Sequence, residues 1–293
     1  GLMAQLPQLK VFTDAGKGHE ELALETTTDL PKETGSDGKT YYLIYNAHQL
    51  ATFRDIVNGN LTDEQKLIYT EGVSANGKLM ADIVLNENFD QDKFAVNDSG
   101  NVTYDGGEVP DTFEQWTPIG NYDRKYTGTF DGNGKTVSGV YINNDSAEYQ
   151  GLFGYVGSGT VKTLGVVNSY IRAGSYVGGI VGYVEGSSSN RAKITNCFSE
   201  ATVIVGASFW ACAGGITSSA EYSDIENCHN TGSVSGGEYA DVGGVAGNAS
   251  SNSTVTNCYN TGTVSGGSDI GGVVGDVDES TITNCHNTGT VSG

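Results

Sequence analysis

The apolar residues of this chain fall in short runs, and over the second half of the sequence the same runs recur. In the last unit they are residues 270–274, residues 281–283 with Cys285, and residues 290–291, separated by Gly, Asn and Ser corners. No stretch between them has the 3.6-residue periodicity of a helix, and each run is too short to cover a core alone. Written in register, NCHNTGSVSGG from Asn227, NCYNTGTVSGG from Asn257 and NCHNTGTVSG from Asn284 are near-copies, with a degenerate fourth, NCFSEATVIVG, from Asn196. A second block alternates with the first: VGGIVG from Val177, AGGITS from Ala213, VGGVAG from Val242 and IGGVVG from Ile270, with GLFG from Gly151 as a diverged first copy. Cys197, Cys228, Cys258 and Cys285 are thereby spaced by 31, 30 and 27 residues. Three strands in about 30 residues predict stacked coils in which each strand pairs with its equivalents above and below, about 4.8 Å away. A propeller blade needs four strands and roughly 40–50 residues, so that rival is excluded by the period. The expected fold is all-β, a right-handed parallel β-helix (solenoid).

Upstream the period changes. Ala47, Leu50, Phe53 and Val57 form one apolar stripe at helical spacing, with Asn46 as N-cap, Gln49 at the capping-box position and Gly59 as the stop. Thr62-Asp-Glu-Gln reads as the start of a shorter helix. This predicts a small helical N-terminal cap over the first coil, whose strand edges would otherwise be free to pair with other molecules. Strand-like runs at 78–85 and 126–142 then open the solenoid. The expected organisation is a lead-in segment at 1–38 with little signal, a cap at 39–77, and a β-helix at 78–293. At its end, Thr290-Val-Ser-Gly293 repeats Thr263-Val-Ser-Gly266 with no atypical closing repeat, so an array truncated at the C-terminus is expected.

Composition agrees with this reading. There are 43 glycines but only 4 prolines, which suits corners rather than a disordered Pro-Gly chain. The formal net charge of −20 repels phosphate backbones and anionic headgroups, so neither nucleic acid nor a membrane surface is an expected partner. No apolar run approaches the ~18 residues of a membrane span. No signal peptide is visible, and Gly1 in place of an initiator Met resembles a cloning scar, so location cannot be argued from the N-terminus.

Candidate chemistry is sparse. The cysteines lack the close pairs of a zinc site, and spacing by one repeat instead stacks them on successive coils. Residue 194, 225, 255 or 282 and the Cys three positions later can both point inward only if the intervening Asn turns a corner, which Asn tolerates in the left-handed region. The expectation is buried free thiols at Cys197, Cys228, Cys258 and Cys285 beneath a ladder of corner asparagines, Asn196, Asn227, Asn257 and Asn284. Disulfides between adjacent rungs are the alternative. Cys212, aligned with Asp241 and Asp269, is expected nearer the surface. His19-Glu20-Glu21 lacks the second His of a zinc-protease helix, and His229 and His286 share a repeat position with Tyr259 and Phe198. Asp131-Gly-Asn-Gly134 and Asn97-Asp-Ser-Gly100 resemble calcium loops without the closing Glu, so turn chemistry is preferred and structural calcium is the weaker reading. Glu221, Asp224, Glu226, Glu238 and Asp241 read as dispersed acids without a basic partner, which disfavours a carbohydrate-active enzyme. No catalytic residue, cofactor or metal is expected. The interval from Cys197 to Gly214 is 17 residues, against 15 and 13 in the next two units, and its extra length carries Phe209-Trp210, the candidate ligand contact.

The interleaved blocks resemble the GLUG-motif repeats of bacterial surface proteins, found also beside immunoglobulin-A peptidase domains. The lead-in matches too, with Tyr41-Tyr-Leu-Ile-Tyr-Asn-Ala-His-Gln-Leu50, Trp116-Thr-Pro-Ile-Gly120 and Gly128-Thr-Phe-Asp-Gly-Asn-Gly-Lys-Thr-Val137. The resemblance spans roughly residues 41–293. It implies export, an extracellular or cell-surface location and adhesion, with glycans or host surface proteins as partners and further repeats or domains flanking this chain. It supplies no catalytic residue. The expected function is a non-catalytic, stalk- or adhesin-like surface or secreted repeat protein. The alternatives are a polysaccharide lyase or hydrolase of β-helix type, and an accessory repeat region of a larger surface peptidase.

Overall fold

The computed structural model describes residues 30–293, and His19 lies outside them. Among the described residues a 14-stranded sheet begins at Lys32, a 9-stranded sheet joins it from Tyr141 and a 5-stranded sheet from Phe153, and five coils pass through the last of these. One coil shows the plan. Cys212–Gly214 lies in the second sheet and Thr217–Glu221 in the third. Ser223–Glu226 and His229–Asn230 lie in the first, and Val234–Ser235 returns to the second. Each pairs in parallel with the strand one repeat later. This is a parallel β-helix.

Register is held by columns of like residues. Val161, Ile194, Ile225, Val255 and Ile282 follow one another on successive rungs, as do Val203, Val234, Val264 and Val291. Ile194, Ile225 and Val255 are wholly buried. Because side chains alternate along each strand, a slip of one residue would turn a whole column outward, so the apolar pattern locks the stack.

The double glycine is explained by close approach. A methyl on Gly178, Gly214, Gly243 or Gly271 would overlap the carbonyl oxygen three residues on, where the chain turns sharply between sheets. A methyl on the next glycine, Gly215, Gly244 or Gly272, would overlap the side chain of Asn230, Asn260 or Asn287 across the interior. The two repeated blocks therefore fit into each other.

At the N-terminal end, helix α1 (Ala47–Asn58) is capped by Asn46, whose side chain accepts from the Gln49 N–H, and it stops at Gly59 with φ 77°. The Gln49 side chain accepts from Tyr45 N–H rather than from the cap residue itself. Leu50, Phe53, Ile56 and Val57 face the core. Phe53 packs on Phe130, ring centroids 5.4 Å apart, and Gly77 leaves the room that this needs. A short helix, α2 (Asp63–Lys66), follows behind a complete capping box at Thr62. The first sheet already starts within this region. Thr40–Ile44 pairs in parallel with Asn76–Leu79, and Lys32–Thr34 closes the edge in antiparallel fashion. The strand expected at 78–85 is broken into Asn76–Leu79 and Ile83–Val84.

Candidate functional site

The corner asparagines Asn196, Asn227, Asn257 and Asn284 have φ of 54, 53, 53 and 52°, so each turns the chain in the left-handed region. They are exposed. The hydrogen-bonded side-chain ladder lies three residues further on and points inward. Asn230 Nδ2 donates to Asn260 Oδ1 at 2.9 Å and Asn260 Nδ2 to Asn287 Oδ1 at 2.8 Å, while each amide also closes on the backbone of its own Gly two residues later. The NTG that comes two residues after Cys228, Cys258 and Cys285 carried this signal in the sequence, since an Asn repeated at an inward position needs its own partners.

All five cysteines are free, and Cys197, Cys228 and Cys258 are buried on successive rungs while Cys285 is partly exposed. Burial pushes the Cys228 thiol well above its ordinary value, and the hydrogen bond with Cys228 together with burial does the same for Cys258. Cys212 corrects an expectation: it is buried, not near the surface. The strand Thr217–Glu221 closes over it, Cys212 Sγ donates to Ser218 O at 2.9 Å, and Gly247 sits against the sulfur. Since the thiolate is the reactive form, Cys285 should be the first thiol modified by a maleimide in the native protein, with Cys212 as slow as Cys228. Mass spectrometry after partial labelling checks this; fast labelling of Cys212 would contradict the burial described.

The acids need a second correction. Asp224 has a basic partner: Arg191 Nε and Nη2 meet Asp224 Oδ1 at 3.0 and 2.7 Å, and Thr254 Oγ1 donates to it from the next rung. Burial raises its carboxyl, but Arg191 and Thr254 outweigh burial and hold it below the usual range. Glu221 accepts from the Tyr183 hydroxyl. Asp241 is pushed up to about 6, by burial first and then by Asp269 and Asp276 nearby. In the two calcium-like loops the Asp131 and Asn97 side chains accept backbone N–H groups of their own turns. No cluster of three His, Cys, Asp or Glu suited to a metal occurs among the described residues.

Two exposed aromatic places stand out. Phe209 and Trp210 are each 77% exposed on the widened corner, and Phe209 stacks on Tyr239 of the next rung at 4.7 Å. The second place lies where the cap meets the first coils, and the sequence reading missed it. Tyr122, Tyr149 and Tyr176 form one stack, with centroids 5.9 and 5.0 Å apart and planes 24 and 3° from parallel. Tyr155 and Tyr183 stack beside them at 5.0 Å and meet them edge-on. Tyr155 donates to Glu185, which Lys125 also bridges at 2.6 Å. Tyr122 is 61% exposed, and with Tyr149, Asn121, Glu148 and Gln150 it lines a cavity of about 540 Å³.

The loop that presents Tyr122 is tied down on both sides. Asn121 Oδ1 accepts from the N–H groups of Asp123 and Arg124, making a tight turn. Arg124 Nε donates to the Val57 carbonyl at the C-terminal end of α1, where a cation is favoured by the helix dipole. Asn58 bridges Pro118 O and Gly120 N–H, and the buried Tyr126 hydroxyl donates to Ala75 O. The residues that build this wall come from separate coils and carry no local motif, which is why spacing alone did not reveal it.

Known proteins resemble this chain in the same terms. The GLUG motif matches at residues 173–204, 211–235 and 238–265. A provisionally named Gly-rich membrane protein of Evansella cellulosilytica is 37% identical over 71 residues, which is 23% of this chain and 8% of that protein. Halomucin of Haloquadratum walsbyi is 39% identical over 75 residues, 25% of this chain and 1% of that protein. The chain thus spans only a small part of the length of these relatives. A crystal structure of a provisionally named immunoglobulin A1 protease from Bacteroides ovatus shares the fold, with a TM-score of 0.51 at 21% identity over 90% of this chain and 87% of that one. Among the described residues no helix is long and apolar enough to cross a membrane. At residues 173–204, 211–235 and 238–265, then, the coils of this parallel β-solenoid match the GLUG motif.

Proposed function

We propose that this chain is a non-catalytic display and adhesion segment of a bacterial surface or secreted protein. The observation that carries the reading is the use to which the solenoid puts its carboxylates. Asp224 is committed to Arg191 and Thr254, Glu221 to Tyr183, and Glu185 to Lys125 and Tyr155. A glycoside-cleaving site needs two carboxyl groups facing each other across a bond, one protonated and one free to attack or to activate water. Carboxylates bound up between rungs instead stiffen the stack. The charge of −20 supports display in solvent, because it keeps copies apart. The relatives, one named a membrane protein and the other halomucin, accord with a surface setting.

Incubation with pectin, host glycans or immunoglobulin A, followed by chromatography and gel electrophoresis, should release no product. Turnover abolished by Asp241→Asn or by another single acid-to-amide change would overturn the reading.

A further inference from the structure

We propose that the tyrosine-walled cavity between the end of α1 and the first coils is a binding site for a neutral pyranose oligosaccharide. Tyr122 serves as the stacking platform. The proposal deepens the display reading and rests on it for the absence of cleavage.

The first argument is the ring itself. A tyrosine left 61% exposed is common on a mobile surface, but the loop carrying Tyr122 is fixed by the Asn121 turn, by Arg124 on the Val57 carbonyl and by the Asn58 bridge. An exposed aromatic side chain seated on Tyr149 and carried by a fixed loop has already lost much of the freedom that binding would otherwise remove, which favours a ligand that packs on it. The second argument is size. A cavity of about 540 Å³ falls within the range of small-ligand sites, and with Tyr122 and Tyr149 in its wall it has room for a short run of sugars.

The third argument is the polar rim. Glu148 and Asp123 are exposed acceptors at the cavity, and the Asn121 amide has its oxygen engaged in the turn, which leaves its NH₂ to donate outward. Gln150, which also lines the cavity, donates its NH₂ to Glu148 O and adds an amide oxygen as a further acceptor. A pyranose has an apolar C–H face and a rim of hydroxyls that both donate and accept. It therefore matches an aromatic plate bordered by two carboxylates and two amides. The carboxylates also set the sign: a uronate or sialylated chain would bring like charge to Glu148 and Asp123, so neutral sugars are selected. Lys125, the nearby cation, is already paired with Glu185 at 2.6 Å and lies over the rings of Tyr155, at 4.6 Å, and Tyr122, at 5.6 Å, so its charge is met locally and does not reverse that choice.

The test titrates the whole chain with cellotetraose, mannotetraose and tetra-N-acetylchitotetraose, and with tetragalacturonate as the anionic counterpart, by calorimetry. At least one neutral tetrasaccharide should bind, and tetragalacturonate should not. Tyr122→Ala should weaken that binding by about tenfold or more, as expected for an aromatic anchor, whereas Tyr122→Phe should keep it, since the ring face and not the hydroxyl is used. Val277→Ala, an exposed apolar position on the last coil and outside the cavity lining, should leave it unchanged. If Tyr122→Ala lowers the melting temperature, the ring-proton shifts of Tyr122 in the unaltered protein during titration decide instead. Binding by none of the three neutral sugars, equal affinity in Tyr122→Ala, or retention only of cationic peptides that salt releases would each overturn the site. Cleavage of a bound sugar would sink the non-catalytic reading while leaving the site in place, so the two failures are told apart.

Discussion

Gly243→Ala is expected to destabilise the repeat array by more than about 3 kcal/mol, because overpacking against rigid backbone cannot be relieved by a rotamer change. The added methyl would meet the Ala246 carbonyl oxygen and its carbon, and also the Gly275 N–H group, all of them main-chain atoms of a rung or its neighbour. Gly214 and Gly271 occupy the same place above and below, so the turn cannot open on one coil without shearing the next. A useful control is Gly107→Ala, where an ordinary approach to Tyr104 O is the sole neighbour and the change should be close to neutral. Urea unfolding followed by circular dichroism would show a large fall in midpoint for the first and little for the second. Equal midpoints would mean that the turn has slack enough to admit a methyl group.

The second large effect is expected at Asn260. Its side chain is wholly buried, accepts from Asn230 Nδ2 and from Gly262 N–H, and donates to Gly262 O and Asn287 Oδ1. Asn260→Ala strips the Gly262 N–H and carbonyl of their side-chain partner and takes one bond from Asn230 Nδ2, all in an interior that water does not reach, besides one from the exposed Asn287, and each buried group left short costs roughly 1–3 kcal/mol. The loss should therefore exceed that of Val264→Ala on the same coil, which removes two buried methyl groups at about 0.8 kcal/mol each before any cavity cost. Comparing the two variants by urea midpoint checks the claim. A smaller effect at Asn260 than at Val264 would show that the ladder is dispensable.

These two positions also show what the sequence could and could not disclose. The interleaved GG and NC blocks announced a repeat, and strand runs too short to fold alone announced stacking, so the solenoid was legible. The Asn corner followed from simple alternation: Ile225 and Cys228 can both face inward only if Asn227 turns the chain. What alternation does not give is which inward groups meet across the interior. The fit of Gly244 against Asn260 joins residues on different sheets, and only the closed coil brings them together. Cys212 shows the same limit. Its alignment with Asp241 and Asp269 pointed outward, but Gly247 on one side and the strand Thr217–Glu221 on another enclose it. The tyrosine groove was hidden more deeply still. Tyr122, Tyr149 and Tyr176 lie 27 residues apart in sequence, but Tyr122 belongs to a loop before the repeats begin, so no periodic block flagged the stack.

The hydrogen bonds between strands in this molecule run along the axis of the stack, from rung to rung, and the strands lie across it. Tension applied along that axis therefore loads a few bonds at a time, as when a strip of tape is peeled, instead of shearing all of them together. A tether of this kind yields by paying out one coil after another at modest force, and it lengthens greatly before it fails. The asparagine rungs and the seated glycine turns make each coil a separate step in that unwinding.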